Sequence, residues 1–358
     1  MKKTLKVLLV ILLVVLLVLG SYVAYVFISY HRIPDNQKLS VEGKGTVKEL
    51  FPESEYEITS WNIGFAAYLQ DYGFFMDGGT ESRAYSKESV VENMDDISKK
   101  LASYDSDFYF LQEVDFDATR SYHVDEREIV YDKVFGDSYS HVFAQNYDSP
   151  YLMYPVFRPH GASKSGIITA AKAELGDSLR RSLPIQTDFH KLLDLDRCYS
   201  ITRAKVSNGK ELVLVNFHLT AYTSDPTVIS NQIMMLNDEL VEEYSKGNYI
   251  IAGGDFNSDL LKSSADIFGV SGEDYNWAKP FPIEKMSQDL TLYAPFDESN
   301  PVPSCRNADG PYDKETQFQI TIDGFLCSNN IEVTYCNVID NQFLNSDHNP
   351  VQMKFILH

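Results

Sequence analysis

Hydrophobic and polar positions divide the chain into three stretches of different character. Leu5 to Tyr30 is an almost unbroken apolar run with no charge after Lys6, long enough to cross a bilayer as a helix. Lys2, Lys3 and Lys6 precede or open it. The run reads as an uncleaved anchor. A cleaved signal at "GSYVA" is the alternative, but apolar residues continue past that site. A buried core helix fits poorly, because core helices are rarely apolar all round. The lysines predict that the rest of the chain lies outside the cytoplasmic membrane, with Arg32 weakening that orientation slightly. Residues 33–55 are polar and carry Pro34, Gly43, Gly45 and Pro52, a composition that predicts a tether.

From residue 56 onward the pattern alternates between two periods. Strands are expected at 56–63, 108–114, 165–175, 212–219, 249–257, 319–328 and 351–356, where apolar residues run together or alternate. Helical spacing appears at 87–104, with Val90, Val91, Met94, Ile97 and Leu101 on one face, and again at 230–246, with Gly247 as its cap. The segment 258–318, rich in Pro, Asn, Asp and aromatics, predicts long loops. No repeat or second linker interrupts 56–358, which therefore reads as one domain.

Charge changes the picture next. The whole chain carries a formal charge of −20. Four of its 31 Lys and Arg lie in the first 32 residues and none of its 51 Asp and Glu does, so the remainder stands at −24. That balance disfavours a nonspecific grip on nucleic acid and adhesion to anionic headgroups. The four cysteines (Cys198, Cys305, Cys327 and Cys336) form no CxxC pair, which argues against a thiolate zinc site. Cys327 and Cys336 are close enough in sequence to pair in an exported chain; free buried thiols are the other reading.

The chemistry gathers at strand ends. "SWNIGF" supplies Asn62, "FLQEVD" Glu113, "VNFHLTAY" His218, "GGDFNS" Asp255 and Asn257, and "TIDGF" Asp323. "NSDHNP", just before the last strand, adds Asp347 and His348. Buried charges must be paired or bind metal, and six strand ends offering oxygen and nitrogen donors point to one shared site. Carboxylates and amides without thiolate suit a hard cation, Mg²⁺ or else Mn²⁺ or Ca²⁺. Histidines beside them suit proton transfer or contacts to a developing negative charge. Metal-assisted attack of water on a phosphoester is the chemistry that uses this whole set.

The ordered set "SWNIGF … LQEVD … SGIITAAK … LVNFHLTAY … GGDFNS … TIDGF … SDHNP" resembles the endonuclease/exonuclease/phosphatase, or DNase I-like, superfamily over roughly residues 56–358. The resemblance implies an α/β (α+β) fold: a four-layer sandwich of two packed mixed β-sheets flanked by helices, here preceded by one transmembrane helix. It implies that Glu113 is the main metal ligand, with Asn62 beside it and Asp347 completing that site or a second one. Asp255 would orient or deprotonate the water, Asn257 hold a phosphate oxygen and His218 lie near the leaving group. Asp323 would orient His348 as base or charge stabiliser.

Plainer readings stand beside these. Asp255 and Asn257 also fit an Asx-turn after a strand, Asp323 a turn acid, Asn62 a turn cap, Glu113 a strand-end ion pair and His218 a core histidine. Arg158, His160, Lys164, Arg197, Arg203 and Arg306 are weaker candidates for anion binding, with Arg306 foremost because it lies in the long loop before Asp323. His123 reads as surface. The functional expectation is a membrane-anchored phosphoesterase acting on a phosphorylated small molecule, lipid or nucleic acid. An extracytoplasmic nuclease, a sphingomyelinase-like lipid phosphodiesterase and a degenerate binding scaffold are the alternatives. No protein partner is implied.

Overall fold

The computed structural model describes residues 2–186, 195–221, 225–270 and 279–358. Its strands, in chain order, are β1 (Gln37–Lys38), β2 (Glu42–Gly43), β3 (Glu55–Asn62), β4 (Phe108–Ala118), β5 (Ser140–Asp148), β6 (Ser163–Ala171), β7 (Leu175–Ser182), β8 (Cys198–Lys205), β9 (Glu211–His218), β10 (Tyr249–Asp255), β11 (Leu290–Tyr293), β12 (Cys305–Arg306), β13 (Gln319–Ile320), β14 (Asp323–Ser328), β15 (Ile331–Val338) and β16 (Val351–Leu357). The helices are α1 (Lys2–Ser29), α2 (Lys87–Tyr104), α3 (Glu126–Val130), α4 (Pro226–Ser245) and α5 (Ser264–Phe268). Two seven-stranded mixed sheets result, ordered β15-β16-β3-β4-β6-β5-β2 and β1-β7-β8-β9-β10-β14-β11.

The strand period of two explains how the layers stack. On β4, Phe108 and Phe110 point between the sheets, while Tyr109 and Leu111 point out toward Val90, Met94, Ile97 and Leu101 of α2. On β9 and β10, Leu212, Leu214 and Ile251 join the inter-sheet core. Val213, Val215 and Ile250 face the opposite way, onto Ile233, Leu236 and Leu240 of α4. The order is therefore helix, sheet, sheet, helix, as the resemblance implied. Each central strand is buried on both faces, which is why these strands read as continuous apolar runs rather than alternating ones.

Both long helices fall where their periodicity placed them. Ser86 caps α2, accepting from Ser89 N–H while the Ser89 hydroxyl accepts from Ser86 N–H. Asp225 caps α4, and its last turn closes through a Gly247 N–H bond to Tyr244 O at φ +81°.

Three expectations need correction. Residues 33–55 are no loose tether. β1 pairs with β7 and β2 with β5, so this segment edges both sheets; Leu39 and Leu50 are buried, and Leu50 belongs to the inter-sheet core. Its few apolar residues are spaced to dock singly, which leaves no periodicity to read. The expected strand 165–175 is two strands: β6 ends at Ala171, the chain turns at Lys172–Glu174, and β7 continues in the other sheet. The segment 258–318 holds the edge strand β11 and the short helix α5 besides its loops. All four cysteines are free thiols, with Cys327 and Cys336 unpaired to each other.

Within α1 the segment Lys3–Ser29 contains an 18-residue window of mean hydropathy 3.1, none of which is buried in the fold. It is long and apolar enough to cross a membrane. Its last two turns meet the rest of the chain through Tyr22 and Tyr25, and just after it Arg32 pairs with Asp196 and His31 with Asp148.

Candidate active site

The sheet registers bring the site together. β3 and β4 run parallel, as do β9 and β10, so Asn62, Glu113, His218 and Asp255 emerge at the same end of the sandwich. β14 runs antiparallel to β10 and starts where β10 stops. Asp255 is thus the direct cross-strand partner of both His218 and Asp323. The loop before β16 delivers Asp347 and His348. It is pinned by Trp61 Nε1–H to His348 O at 2.9 Å, by Ser346 Oγ–H to Asn62 O at 2.8 Å, and by Arg306 N–H to Asp347 O at 2.9 Å. A segment ten residues from the terminus is held because every neighbour of it is buried sheet or cleft wall.

Local backbone geometry aims individual groups. Glu113 sits at φ +55° in a bulge of β4, between Leu111 and Val114. Bulges of this kind re-aim a side chain, and a left-handed non-glycine residue of this type is concentrated at functional sites. Asn257 is also left-handed, at φ +48°, and its N–H donates to Asp255 Oδ1 at 2.8 Å. The Asx-turn reading is therefore correct for that pair, and the turn also fixes the carboxylate. Gly64 permits close approach of the β3 end to the terminal loop. At φ +54°, a Cβ there would lie 2.7 Å from the Tyr68 ring and 3.1 Å from Asp347 Oδ1.

The polar atoms form a connected chain. Asp323 Oδ2 meets His348 Nδ1 at 2.8 Å and accepts from Ser304 Oγ–H at 2.7 Å. His348 Nε2 faces Asp255 Oδ2 at 3.8 Å, and His218 Nε2 lies 3.3 Å from the same oxygen. The Asn62 amide nitrogen donates to Asp255 Oδ2 at 3.0 Å and to Glu113 Oε1 at 3.1 Å, while its oxygen accepts from Gly64 N–H. Asn62 thus links the Glu113 side of the site to the Asp255 side.

Burial sets the charges. It opposes charge on His348, yet the bonded Asp323 carboxylate carries that imidazole well above its ordinary value. Burial, reinforced by Arg197 and His348, drives His218 well below its own. The two imidazoles are therefore pushed in opposite directions, His348 toward its charged form and His218 toward its neutral one. Burial pushes Asp255 up to about 7, with His348 opposing and Asp323 adding. Burial also pushes Asp347 up to about 6, with His348 and Arg306 pulling it down and Glu113 pushing it further up.

Glu113, His218, Asp255, Asn257, Asp347 and His348 line one cleft of 780 Å³, while Asn62 and Asp323 bond to these residues from outside its lining. Among the weaker candidates, Arg197, His160 and Arg306 line it too. The Nε and one terminal nitrogen of buried Arg197 have no hydrogen-bond partner among the described residues. Arg306 donates to the carbonyls of Leu69, Asn307 and Gly310, at 3.1 to 3.3 Å, and so braces the wall. Arg158 pairs with Glu81, Lys164 with Asp117, and Arg203 with Glu211 and Glu243; none of the three lines the cleft. His123 is exposed and bonded to Asp117. Sequence reasoning missed Ser304, which holds Asp323, and Arg120, a cleft residue paired with buried Asp115 and lying 3.8 Å over the Phe65 ring. Neither stands in a motif; only its neighbours in space mark it.

The donors suit a hard cation. Asp255, Asp323 and His348 present ligand atoms within 4.8 Å of one another. In that trio, however, Asp323 Oδ2 is already bonded to His348 and Ser304. Glu113 and Asp347 form the freer pair. Asp347 is held toward its neutral form by burial, and a bound cation would relieve that.

Comparison with known proteins follows from this geometry. Residues 59–348 match the family described as Endonuclease/Exonuclease/phosphatase family. The chain belongs to that family. The activities in its description are hydrolyses of phosphoester bonds, and this chain is a hydrolase of that class. No curated protein matches the sequence. Solved structures share the fold at low identity. An endonuclease/exonuclease/phosphatase from Beutenbergia cavernae is 15% identical, with TM-score 0.57, covering 85% of this chain and 72% of that one. ANGEL2, a 2′,3′-cyclic phosphatase crystallised with adenosine-2′,3′-vanadate, is 16% identical, with TM-score 0.55, covering 89% and 99%. A family protein from Leptotrichia buccalis is 13% identical, with TM-score 0.54, covering 84% and 99%.

Proposed function

We propose that this cleft hydrolyses a phosphoester by cation-assisted attack of water. One observation carries the reading: a run of His348, Asp255 and His218, with Asp323 bonded behind His348, and a carboxylate pair with few internal partners (Glu113, Asp347) meet at one cleft, with Asn62 bonded to both Glu113 and Asp255. Glu113 and Asp347 would hold the ion, with Mg²⁺ the first choice and Mn²⁺ or Ca²⁺ the others, as carboxylate oxygen donors suit a hard cation. Such an ion, when bound, supplies Lewis-acid polarisation of the phosphoryl oxygen.

The chain's own residues do the rest. Asp323 fixes the ring of His348 so that its Nε2–H faces the space beside Asp255, where it stabilises charge growing on the phosphoryl group. Asp255 accepts the proton of the attacking water; its raised pKa matches that task near neutrality. Asn257 holds the turn that aims Asp255. Neutral His218 offers its Nε2–H beside the leaving group. Asn62 keeps the cation carboxylate and the proton acceptor in register. We place the catalytic part outside the cytoplasmic membrane, the orientation that the lysines in the first turns of α1 favour.

The test is hydrolysis of a bis-aryl phosphate by the detergent-solubilised full chain with Mg²⁺, Mn²⁺ or Ca²⁺. Turnover that EDTA and His348→Ala both abolish supports the reading. Turnover indifferent to both would sink it. A reporter fused at His358 and found in the cytoplasm would overturn the orientation.

A further inference from the structure

Phe157 is fully exposed, and Val156 and Tyr154 are 71% and 67% exposed. They belong to the loop 149–157, "SPYLMYPVF", which carries no charged residue. Isolated apolar residues on a surface are ordinary, but a contiguous patch marks a binding face. On a chain this acidic, such a patch has two unusual neighbours.

The first neighbour is α1. Tyr22 Oη accepts from Met153 N–H at 3.0 Å and donates to Tyr151 O at 3.3 Å; Tyr25 Oη accepts from Tyr151 N–H at 3.0 Å. These tyrosines lie one to two turns before the helix ends at Ser29. About 20 helical residues cover the ~30 Å hydrocarbon core, so a span counted from Val7 reaches Val26. Tyr25 then falls at the exit-side boundary and Tyr22 about 6 Å inside it, near the interface where tyrosine is enriched. A loop bonded to them is held at that same depth.

The second neighbour is the cleft. Tyr22, Met76, Leu152, Met153 and Tyr154 line the same cavity whose floor carries Glu113, Asp255 and His348. The cavity is thus apolar on the side of the helix and charged at the bottom. A soluble phosphate ester gains nothing from an apolar approach at the membrane boundary. An ester with an acyl-bearing leaving or retained group would keep its tails in the bilayer while the phosphate reaches the floor.

We propose that loop 149–157 and the C-terminal end of α1 form one lipid-contacting face that opens the catalytic cleft toward the bilayer, so that the substrate is a phosphate ester carried by a membrane lipid. The proposal rests on the phosphoesterase reading of the cleft and on α1 as a membrane span. It deepens that reading by naming the substrate class. The contact is apolar rather than electrostatic, so it does not require anionic lipid and is insensitive to salt.

The test uses the full chain reconstituted in phospholipid nanodiscs. Phe157→Trp adds a reporter to the two native tryptophans, Trp61 and Trp277, whose signal is subtracted using the parent chain. Brominated acyl chains are expected to quench the added tryptophan by at least about twofold; unchanged emission would overturn the lipid-contacting face. In parallel, phosphate-ester hydrolysis is followed on the nanodisc phospholipids (phosphatidylethanolamine, phosphatidylglycerol and sphingomyelin discs) and on a soluble bis-aryl phosphate. Val156→Asp with Phe157→Asp is expected to lower lipid hydrolysis about tenfold or more and leave the soluble ester unaffected, since both side chains face solvent. Cleavage of the soluble ester with no lipid cleaved would overturn the substrate class and leave the phosphoesterase reading standing. Cleavage of neither would count against the phosphoesterase reading, and the quenching would still decide the membrane face.

Discussion

Asp323 holds His348 by its inner nitrogen: Oδ2 to Nδ1 is 2.8 Å, and the outer nitrogen of the ring is left facing Asp255. A carboxylate so placed fixes both the tautomer and the orientation of the ring. Asp323→Asn keeps the size but reverses the hydrogen-bond demand on Nδ1. Turnover is expected to fall by roughly 10²–10⁴-fold, the usual worth of a positioned acid–base group. Imidazole ¹⁵N shifts of His348 should report the changed ring, which a merely structural role of Asp323 would leave untouched.

Glu113 is aimed by a left-handed bulge and tied to Asn62. Glu113→Gln removes charge with little change of shape. Divalent-ion binding, followed by calorimetry, is expected to weaken by more than about 100-fold, beyond the ~10–100-fold typical of losing a merely supporting residue. The melting temperature without ion should not fall, because one of the carboxylates crowding Asp347 is gone. Unchanged ion affinity would remove Glu113 from the cation site.

Gly64 occupies a left-handed position against Tyr68 and Asp347. Gly64→Ala must bear the backbone strain, about 1–3 kcal/mol, and push the terminal loop aside. Lower melting temperature together with lower turnover is the expected outcome. Lower stability with full turnover would show that the approach of β3 to Asp347 does not matter to the site.

Leu50 tests whether residues 33–55 belong to the fold. It is 2% exposed in the inter-sheet core. Leu50→Ala should cost about 2–5 kcal/mol by denaturant unfolding, where the same change in a free tether would cost nothing.

Glu243 supplies a pH dependence remote from the cleft. Burial would raise its pKa, but hydrogen bonds from Arg203, Lys246 and Asn248 outweigh it and bring the carboxyl down to about 2. A depressed carboxylate stabilises the fold above its unfolded pKa and loses that contribution as pH falls toward the folded one. The melting-temperature gap between the parent and Glu243→Gln should be full at pH 6 and close between about pH 4.5 and 2. A gap that stayed constant over that range would refute the ion-pair account.

Much of the site was legible because its residues interrupt apolar strands. Asn62, His218, Asp255 and Asp323 each end or begin a strand, and Glu113 interrupts one at a bulge, where burial makes a polar residue costly, so each stands out one by one. Asp347 and His348 stand out for the same reason just ahead of β16. Arg120 and Ser304 carry no such mark: one braces the cleft from a short turn, and the other is a serine in a loop.

The chain's periodicities by themselves determined the apolar helix, both long helices and the central strands, while the layer order came from the family resemblance of the ordered motifs. They also determined which chemistry the polar strand ends contain. The tertiary structure alone decided that residues 33–55 edge both sheets, that 165–175 splits between them, and that Arg306 braces a wall. It alone set loop 149–157 beside α1 at the cleft mouth. The physical reason is range. Periodicity reports how one segment meets a buried face, through neighbours three or four residues away. Edge pairing, hydrogen bonds to distant carbonyls and the meeting of two exposed apolar segments depend on residues more than a hundred positions apart, as with Tyr22 and Tyr151, and leave no mark on the local pattern.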